Sequence, residues 1–499
     1  LAVFSEASVQ KRVSLTIPFA VIGFFLAAQL ALGTSLALIG LCAFAVAVPL
    51  LPLWLYGRDL YSAMGINFSL RYVGIALAAK TFYGQTLESH LFHPYAAYAL
   101  TGLLMAVVTA VLVLVRKFDR GTELFPLPTD PASLRRLSLI CIVVGMAALV
   151  VVAANRSMET GAFNGGAVLV LASNVSNLFI LGIVAEALYG VVRFNGQGFI
   201  TLRLVVLFVL AVAVATALNA RIVVVTSLIS VIVATFLTGS LRLKHVIFGL
   251  AAGSFFLYVF SPVTLYLRLS REGMTRTQFI QFAGQTVARL ASDPQFFTLI
   301  SNTVKASEVQ DETRQPPYDY FGDRANVPNR LSFVALVDAV YTATMSREPI
   351  GMAAVNHSLT TLTPGFLRTD KEITTYGMGD WLSWETGLSE PGFIAFLNFG
   401  LPMEGLAAWG LTGFILYPFI IYFIAFYTCS KVSTFRFALP ASIVIAVIMG
   451  HPAIEGTSDE ILAWVTRTIP IYLALLYGLH KILTAGMPAS RSPAPRVSF

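Results

Sequence analysis

Cations and proton acceptors stand at the margins of apolar runs in this chain. Arg221 opens a run in ALNARIVVV. Arg268 and Arg271 close another in LYLRLSREG, about one turn apart if the helix continues. Arg330 heads NRLSFVALV, and Lys371 ends TPGFLRTDK beside Asp370. A guanidinium grips phosphate oxygens through a two-pronged fork, and an ammonium acts on them as a point charge. Several such groups around one cavity suit a diphosphate leaving group, because stabilising the negative charge that develops is commonly the largest catalytic contribution. Transfer to a hydroxyl also needs a base, and His357, Asp380, Glu385 and Glu390 are the candidates in the same stretch. Each has a plainer reading: Arg221 snorkelling, Arg268 and Arg271 as a helix-end pair, Arg330 as a flanking charge, Lys371 paired with Asp370. His357 and the acids would then be solvated loop residues. Glu404 begins the next apolar run, as an interfacial charge or a partner for one of the arginines.

The elements that must position these groups follow from composition. Of 499 residues, 57% are hydrophobic and 12% charged, with a mean hydropathy of +0.76. Soluble domains carry about 25% charged residues, so this chain cannot cover itself with polar surface. Its apolar runs of about 18 to 25 residues predict an all-α, polytopic bundle, and the short alternating segments of a β-barrel are absent. Apolar runs fall near 14–32, 34–56, 68–84, 95–115, 136–154, 167–191, 201–218, 221–239, 245–267, 402–427, 434–450 and 461–480. The first follows Lys11 and Arg12 and reads as a retained signal-anchor. The third contains Lys80, which leaves a re-entrant element as the alternative.

Arg116, Lys117, Arg120, Arg135 and Arg136 crowd one loop, which is thereby expected in the cytoplasm. Arg58, Arg71, Arg193, Arg203, Arg242, Lys244, Lys431 and Arg436 alternate onto the same side, whereas 83–94 and 451–460 carry no Lys or Arg. About twelve spans with both termini inside result. Spans one to nine occupy 1–267, an outer, partly helical loop 268–393, the last three spans 394–483, and a disordered tail 484–499. The net charge of +7 is accounted for by this asymmetry, so nucleic acid is not expected as a partner. Within the outer region, Phe279–Leu299 reads as a helix broken at Asp293–Pro294, Lys305–Tyr320 as a mobile loop, and Leu331–Met345 as an amphipathic helix starting near Asn329. Tyr376–Gly392, with Trp381 and Trp384, suits a membrane interface or a sugar-binding wall.

Cys42, Cys141 and Cys429 have no metal or disulfide spacing. No GxxxxGK[ST], HExxH or GxSxG occurs, which argues against an ATP-driven machine, a zinc protease and a serine esterase. No cofactor and no metal is expected.

Three pieces carry a family likeness over roughly residues 200–430. They are the helix start at Arg221, the outer Arg330 segment, and Pro364, Phe366, Leu367, Asp370 and Lys371 leading to Asn398-Phe399-Gly400. In their order the chain resembles the Wzy-type oligosaccharide repeat-unit polymerases, relatives of the O-antigen ligases. It departs at Glu372, where the family often has Pro, and at Ile394, where an acid often precedes the Asn-Phe-Gly step; here the acid is further back, at Glu390. The resemblance implies an inner-membrane glycosyltransferase that joins undecaprenyl-diphosphate-linked donor and acceptor glycans, without nucleotide or metal. Membrane lipids and a chain-length regulator protein would be its partners. Arg221, Arg268, Arg271, Arg330 and Lys371 would hold the diphosphate, with His357, Asp380 or Glu390 as proton acceptor. A ligase moving finished glycan to lipid A core is the near alternative, which an outer His357 also fits. A twelve-span transporter or lipid-sugar flippase is the further one. It would show two similar halves and ionisable groups at mid-bilayer, but no internal repeat is visible and the charges read as span-end residues.

Overall fold

Apolar runs surrounded by lipid must satisfy their own backbone groups, and a helix does so within one segment. The computed structural model describes residues 15–155, 167–218, 222–242, 245, 249, 253–271, 274, 276–310, 319–322, 329, 331–363, 377–392 and 399–485, and among these no strand occurs. The helices are α1 (Thr16–Ala31), α2 (Leu36–Tyr56), α3 (Leu60–Ser69 continued through a π-turn, Leu70–Gly74, into Ile75–Phe82), α4 (Pro94–Phe118), α5 (Pro131–Asn155), α6 (Val168–Arg193), α7 (Leu202–Leu218) and α8 (Ile222–Leu237). After them come α9 (Ser261–Leu269), α10 (Arg276–Ser292), α11 (Pro294–Gln310), α12 (Val334–Met345), α13 (Met352–Leu362), α14 (Met378–Thr386), α15 (Leu401–Val432), α16 (Pro440–Glu455) and α17 (Ser458–Thr484). Six of them, α2, α4, α5, α6, α15 and α17, are long and apolar enough to cross a membrane, and shorter apolar helices lie between them. Every expected apolar run holds a helix.

The main core forms around α4, whose Ala97, Tyr98, Leu104, Val108, Val111 and Val115 are wholly buried between α2, α12 and α15. Basic loops meet at one end of the bundle. Asp59 caps α3 through the Ser62 amide at 2.9 Å and accepts from Arg116 Nε at 3.0 Å. Asp119 accepts from the Tyr61 hydroxyl at 3.0 Å, Thr434 Oγ1 at 3.0 Å and the Phe435 amide at 2.9 Å. Lys431 donates to the Phe118 carbonyl at 2.7 Å. The three cysteines are buried and free.

Four sequence expectations are corrected. α3 begins at Leu60 rather than near 68, so Arg71 stands roughly 17 Å along it, at 1.5 Å per residue, instead of at its basic end. The segment 60–69 mixes Ser62, Gly65, Asn67 and Ser69 with apolar residues and falls between two of the expected runs, yet most of it is buried among helices. Lys305 to Gln310 belongs to α11 rather than to a loop. α12 does not lie along a surface: Val334 to Val340 are buried throughout, and its Asp338 accepts from the Phe92 and His93 amides at 2.7 and 2.8 Å, fixing the start of α4.

The fourth correction concerns α15, which is not one straight span. Trp409 (φ −141°, ψ 22°) and Gly410 (φ 63°, ψ −146°) break it, the latter in a backbone region that favours glycine. The arms 401–408 and 411–432 fold back on each other. Gly405 and Gly413 pack so tightly that a Cβ on either would overlap the other's carbonyl oxygen. Tyr417 reaches Glu404 Oε1 at 2.9 Å, whereas a straight helix would hold these residues about 20 Å apart. Carbonyls freed at the elbow are taken by the loop before α13: Ile350 N bonds Ala407 O at 3.0 Å and Gly351 N bonds Ala408 O at 2.8 Å. The short arm therefore starts inside the bundle, at Gly400, and climbs outward. α10 and α11 match the expected helix broken at Asp293–Pro294.

Candidate functional site

The end of the bundle away from the basic loops carries a connected set of ionisable groups, and its centre is the end of α16. The π-turn in α3 presents Arg71, whose guanidinium pairs with Glu455. His451 Nδ1 lies 3.5 Å from the same carboxylate oxygen. A π-turn releases a backbone carbonyl from the helix ladder, and here the Phe333 amide approaches the Arg71 carbonyl at 3.3 Å, with the Phe333 ring 5.4 Å beneath the guanidinium. The last carbonyls of a helix need outside donors, and those of α16 have them. Ala453 O accepts from the Tyr422 hydroxyl at 2.6 Å, Ile454 O from the Tyr72 hydroxyl at 3.2 Å, and Glu455 O from the Gly400 amide at 3.1 Å. Glu455 is thereby held through both its backbone and its carboxylate. Arg71 Nε is buried and meets no acceptor among the described residues.

A second node joins α15, α17 and α13. Glu404, on the short arm, is wholly buried. It accepts from the Ser458 amide at 2.7 Å and the Ser458 hydroxyl at 2.6 Å, so its carboxyl group sits at the positive N-terminus of α17. Ser458 also meets the Ser358 hydroxyl at 2.6 Å. A further π-turn, Trp464–Thr468 within α17, carries Arg467, which donates to the last carbonyls of α13, Thr361 O at 3.2 Å and Leu362 O at 2.7 Å. α13 in turn lays the His357 ring flat on Trp381 of α14, with centroids 4.7 Å apart and planes within 5°.

Beside the elbow of α15 lies a mostly apolar hollow of about 530 Å3. Ala96, Ala99 and Leu103 of α4 line it, with Leu406 and Leu411 of α15 opposite and Arg347 at the rim. Arg347 donates to the Glu385 carbonyl at 2.9 Å. The short arm of α15 connects the two places, since its elbow walls the hollow and its start bonds Glu455.

Of the residues singled out in the sequence, Arg221, Arg330 and Lys371 lie outside the described residues, as do Pro364, Phe366, Leu367, Asp370, Glu372, Ile394, Asn398 and the tail beyond Ala485. Phe399 is buried and Gly400 starts the short arm. Arg268 is exposed at the end of α9 and Arg271 half-buried just after it. Their helix packs with α10 and α11 around Val263, Leu267, Phe279 and Ile300, a core separate from the one behind Glu455. His357 is half-buried, Asp380 buried in the first turn of α14 with its carboxylate 3.4 Å from the Gly377 amide, and Glu390 exposed. His357 and Asp380 thus share the α13–α14 corner, while Arg268 and Arg271 pack elsewhere. Sequence reasoning passed over Arg71, His451, Glu455, Arg467 and Arg347. The available signal was the interval 451–460, where His451, Glu455, Asp459 and Glu460 stand between two apolar runs. Among the described residues no group of His, Cys, Asp and Glu could hold a metal ion.

In comparisons with known protein families, curated proteins and solved structures, nothing matches this chain. What the fold and the cluster define is a class: an all-helical membrane protein with ionisable groups set among its apolar helices.

Proposed function

We propose that this protein is an inner-membrane glycosyltransferase that polymerises undecaprenyl-diphosphate-linked oligosaccharide units into surface polysaccharide. The observation that carries this reading is Arg71, an arginine deep within a helix and paired with Glu455, at one end of the short arm of α15 whose other end walls an apolar hollow rimmed by Arg347. A lipid diphosphate needs both kinds of surface, apolar for its chain and cationic for its head. Ionisable groups placed among apolar helices mark substrate paths by default. Arg221, Arg330 and Lys371 add to the diphosphate site in this reading. The stacked His357–Trp381 face suits a sugar ring. The basic end lies in the cytoplasm by the charge rule, with both termini inside, about twelve spans, and the cluster towards the periplasm.

The test is the lipid-linked pool in a deletion strain. Single units accumulating on the outer leaflet support polymerisation, and accumulated finished polymer indicates a ligase. The ion pair among the apolar helices favours one other reading, a lipid-sugar flippase, which predicts single units retained on the inner leaflet. Topology has its own check. All three native cysteines are buried, so a cysteine at the exposed Ala306 of α11 should react with a membrane-impermeant maleimide added to intact spheroplasts. Labelling only after the inner face is opened would reverse the orientation.

A further inference from the structure

His451 and Glu455 are one turn apart on α16, and the carboxylate faces the imidazole at Nδ1. A carboxylate in that place selects the tautomer with hydrogen on Nδ1 and leaves the Nε2 lone pair directed away from it. Glu455 is itself immobilised by Arg71 and by the Gly400 amide on its carbonyl. The order is base, orienting acid, anchoring cation. The imidazole is the most open of the three, with 54% of its side chain exposed against 13% for Glu455 and 20% for Arg71. Among the described residues the other charged neighbour is Glu460, which is also exposed. Ionisable groups beside apolar helices face a watered cavity or a ligand rather than hydrocarbon. The 3.5 Å separation is of the kind that tightens only when substrate binds.

We propose that His451 is the general base for glycosyl transfer, oriented by Glu455, which Arg71 holds in place. This rests on the glycosyltransferase reading above. His451 Nε2 takes the proton of the acceptor sugar hydroxyl. The oxygen so released forms a bond to the anomeric carbon of the donor, and the bond from that carbon to the diphosphate oxygen breaks, its electron pair leaving with the lipid diphosphate. Glu455 is a positioning residue and touches neither sugar.

The experiment uses the full-length protein in lipid nanodiscs, with the lipid-linked oligosaccharide extracted from the deletion strain as the probe, from pH 5.5 to 8.5. At equal protein level His451→Gln should lower the transfer rate about 100-fold or more, the scale of general-base catalysis. It leaves the Arg71–Glu455 pair intact, so the fold should hold. Glu455→Gln should lower the rate about 10-fold or more. It should also move the acid limb of the pH profile to lower pH, because removing a negative neighbour makes imidazolium harder to form. Glu455→Asp should restore part of both. A His451→Gln rate within tenfold of the parent, or an acid limb unmoved in Glu455→Gln, overturns the assignment. A parent protein that transfers nothing to the extracted probe strikes the glycosyltransferase reading instead, so the two failures are distinct.

Discussion

Arg71→Ala should leave little folded protein in the membrane. The substitution removes the Arg71 cation from a largely buried Glu455 carboxylate, and removing one partner of a fully buried pair costs about 3–5 kcal/mol, an upper bound for this half-buried one. The loss also reaches the packing, because the guanidinium lies over Phe333 while the same residue's carbonyl meets the Phe333 amide. Thermal melting and size-exclusion of the solubilised protein would register it. The double variant Arg71→Met with Glu455→Met should recover much of the melting temperature, since apolar replacement of a whole buried pair is often neutral or better. Under the proposed mechanism it should recover no transfer, because nothing would then orient His451. If Arg71→Ala melts like the parent, the pair does not support the bundle and Glu455 has another source of compensation.

Gly405→Ala should be nearly as damaging, although it adds one methyl. The two arms of α15 meet at Gly405 and Gly413 with no room for a Cβ on either, so the methyl must push the short arm off the long one. Overpacking of this kind costs about 1–3 kcal/mol and occasionally more. Here the displaced arm carries Glu404 away from Ser458 and Tyr417. Leaving that carboxylate buried without its donors adds a further penalty. Gly478→Ala, where a Cβ would meet nothing within 4 Å, is the control and should be neutral or slightly stabilising. Equal melting of the two variants would mean that the arms do not close at the elbow.

The helix corrections share one cause. A sequence window judges each residue by its own hydropathy, so a stretch such as 60–69, where Ser62, Gly65, Asn67 and Ser69 interrupt apolar residues, reads as a boundary even where neighbouring helices cover it. The same habit placed Arg71 at a helix end, because an arginine pulls the apparent edge of an apolar run towards itself. At the elbow the error is opposite. Trp409 and Gly410 sit inside an apolar run, and neither a proline nor a charge adjoins them to mark a break there, so 402–427 reads as one span. The α12 segment mixes polar and apolar residues in a way that suits a surface helix, and only its position between α4 and α15 shows both faces covered.

By itself the sequence determined the class of structure and where helices form. With 57% hydrophobic residues and long apolar runs, backbone groups can be satisfied only locally, and local hydrogen bonding is what residue order specifies. It also determined the basic end, because the lysines and arginines lie between those runs at alternate turns. Tertiary structure alone decided which groups meet. Arg71 finds Glu455, Glu404 finds Ser458, and His357 finds Trp381, each across a separation in the chain that no periodicity reports. Apolar periodicity says which face of a helix is buried and nothing about which helix lies against it, and the chemistry of this protein depends on the second of these.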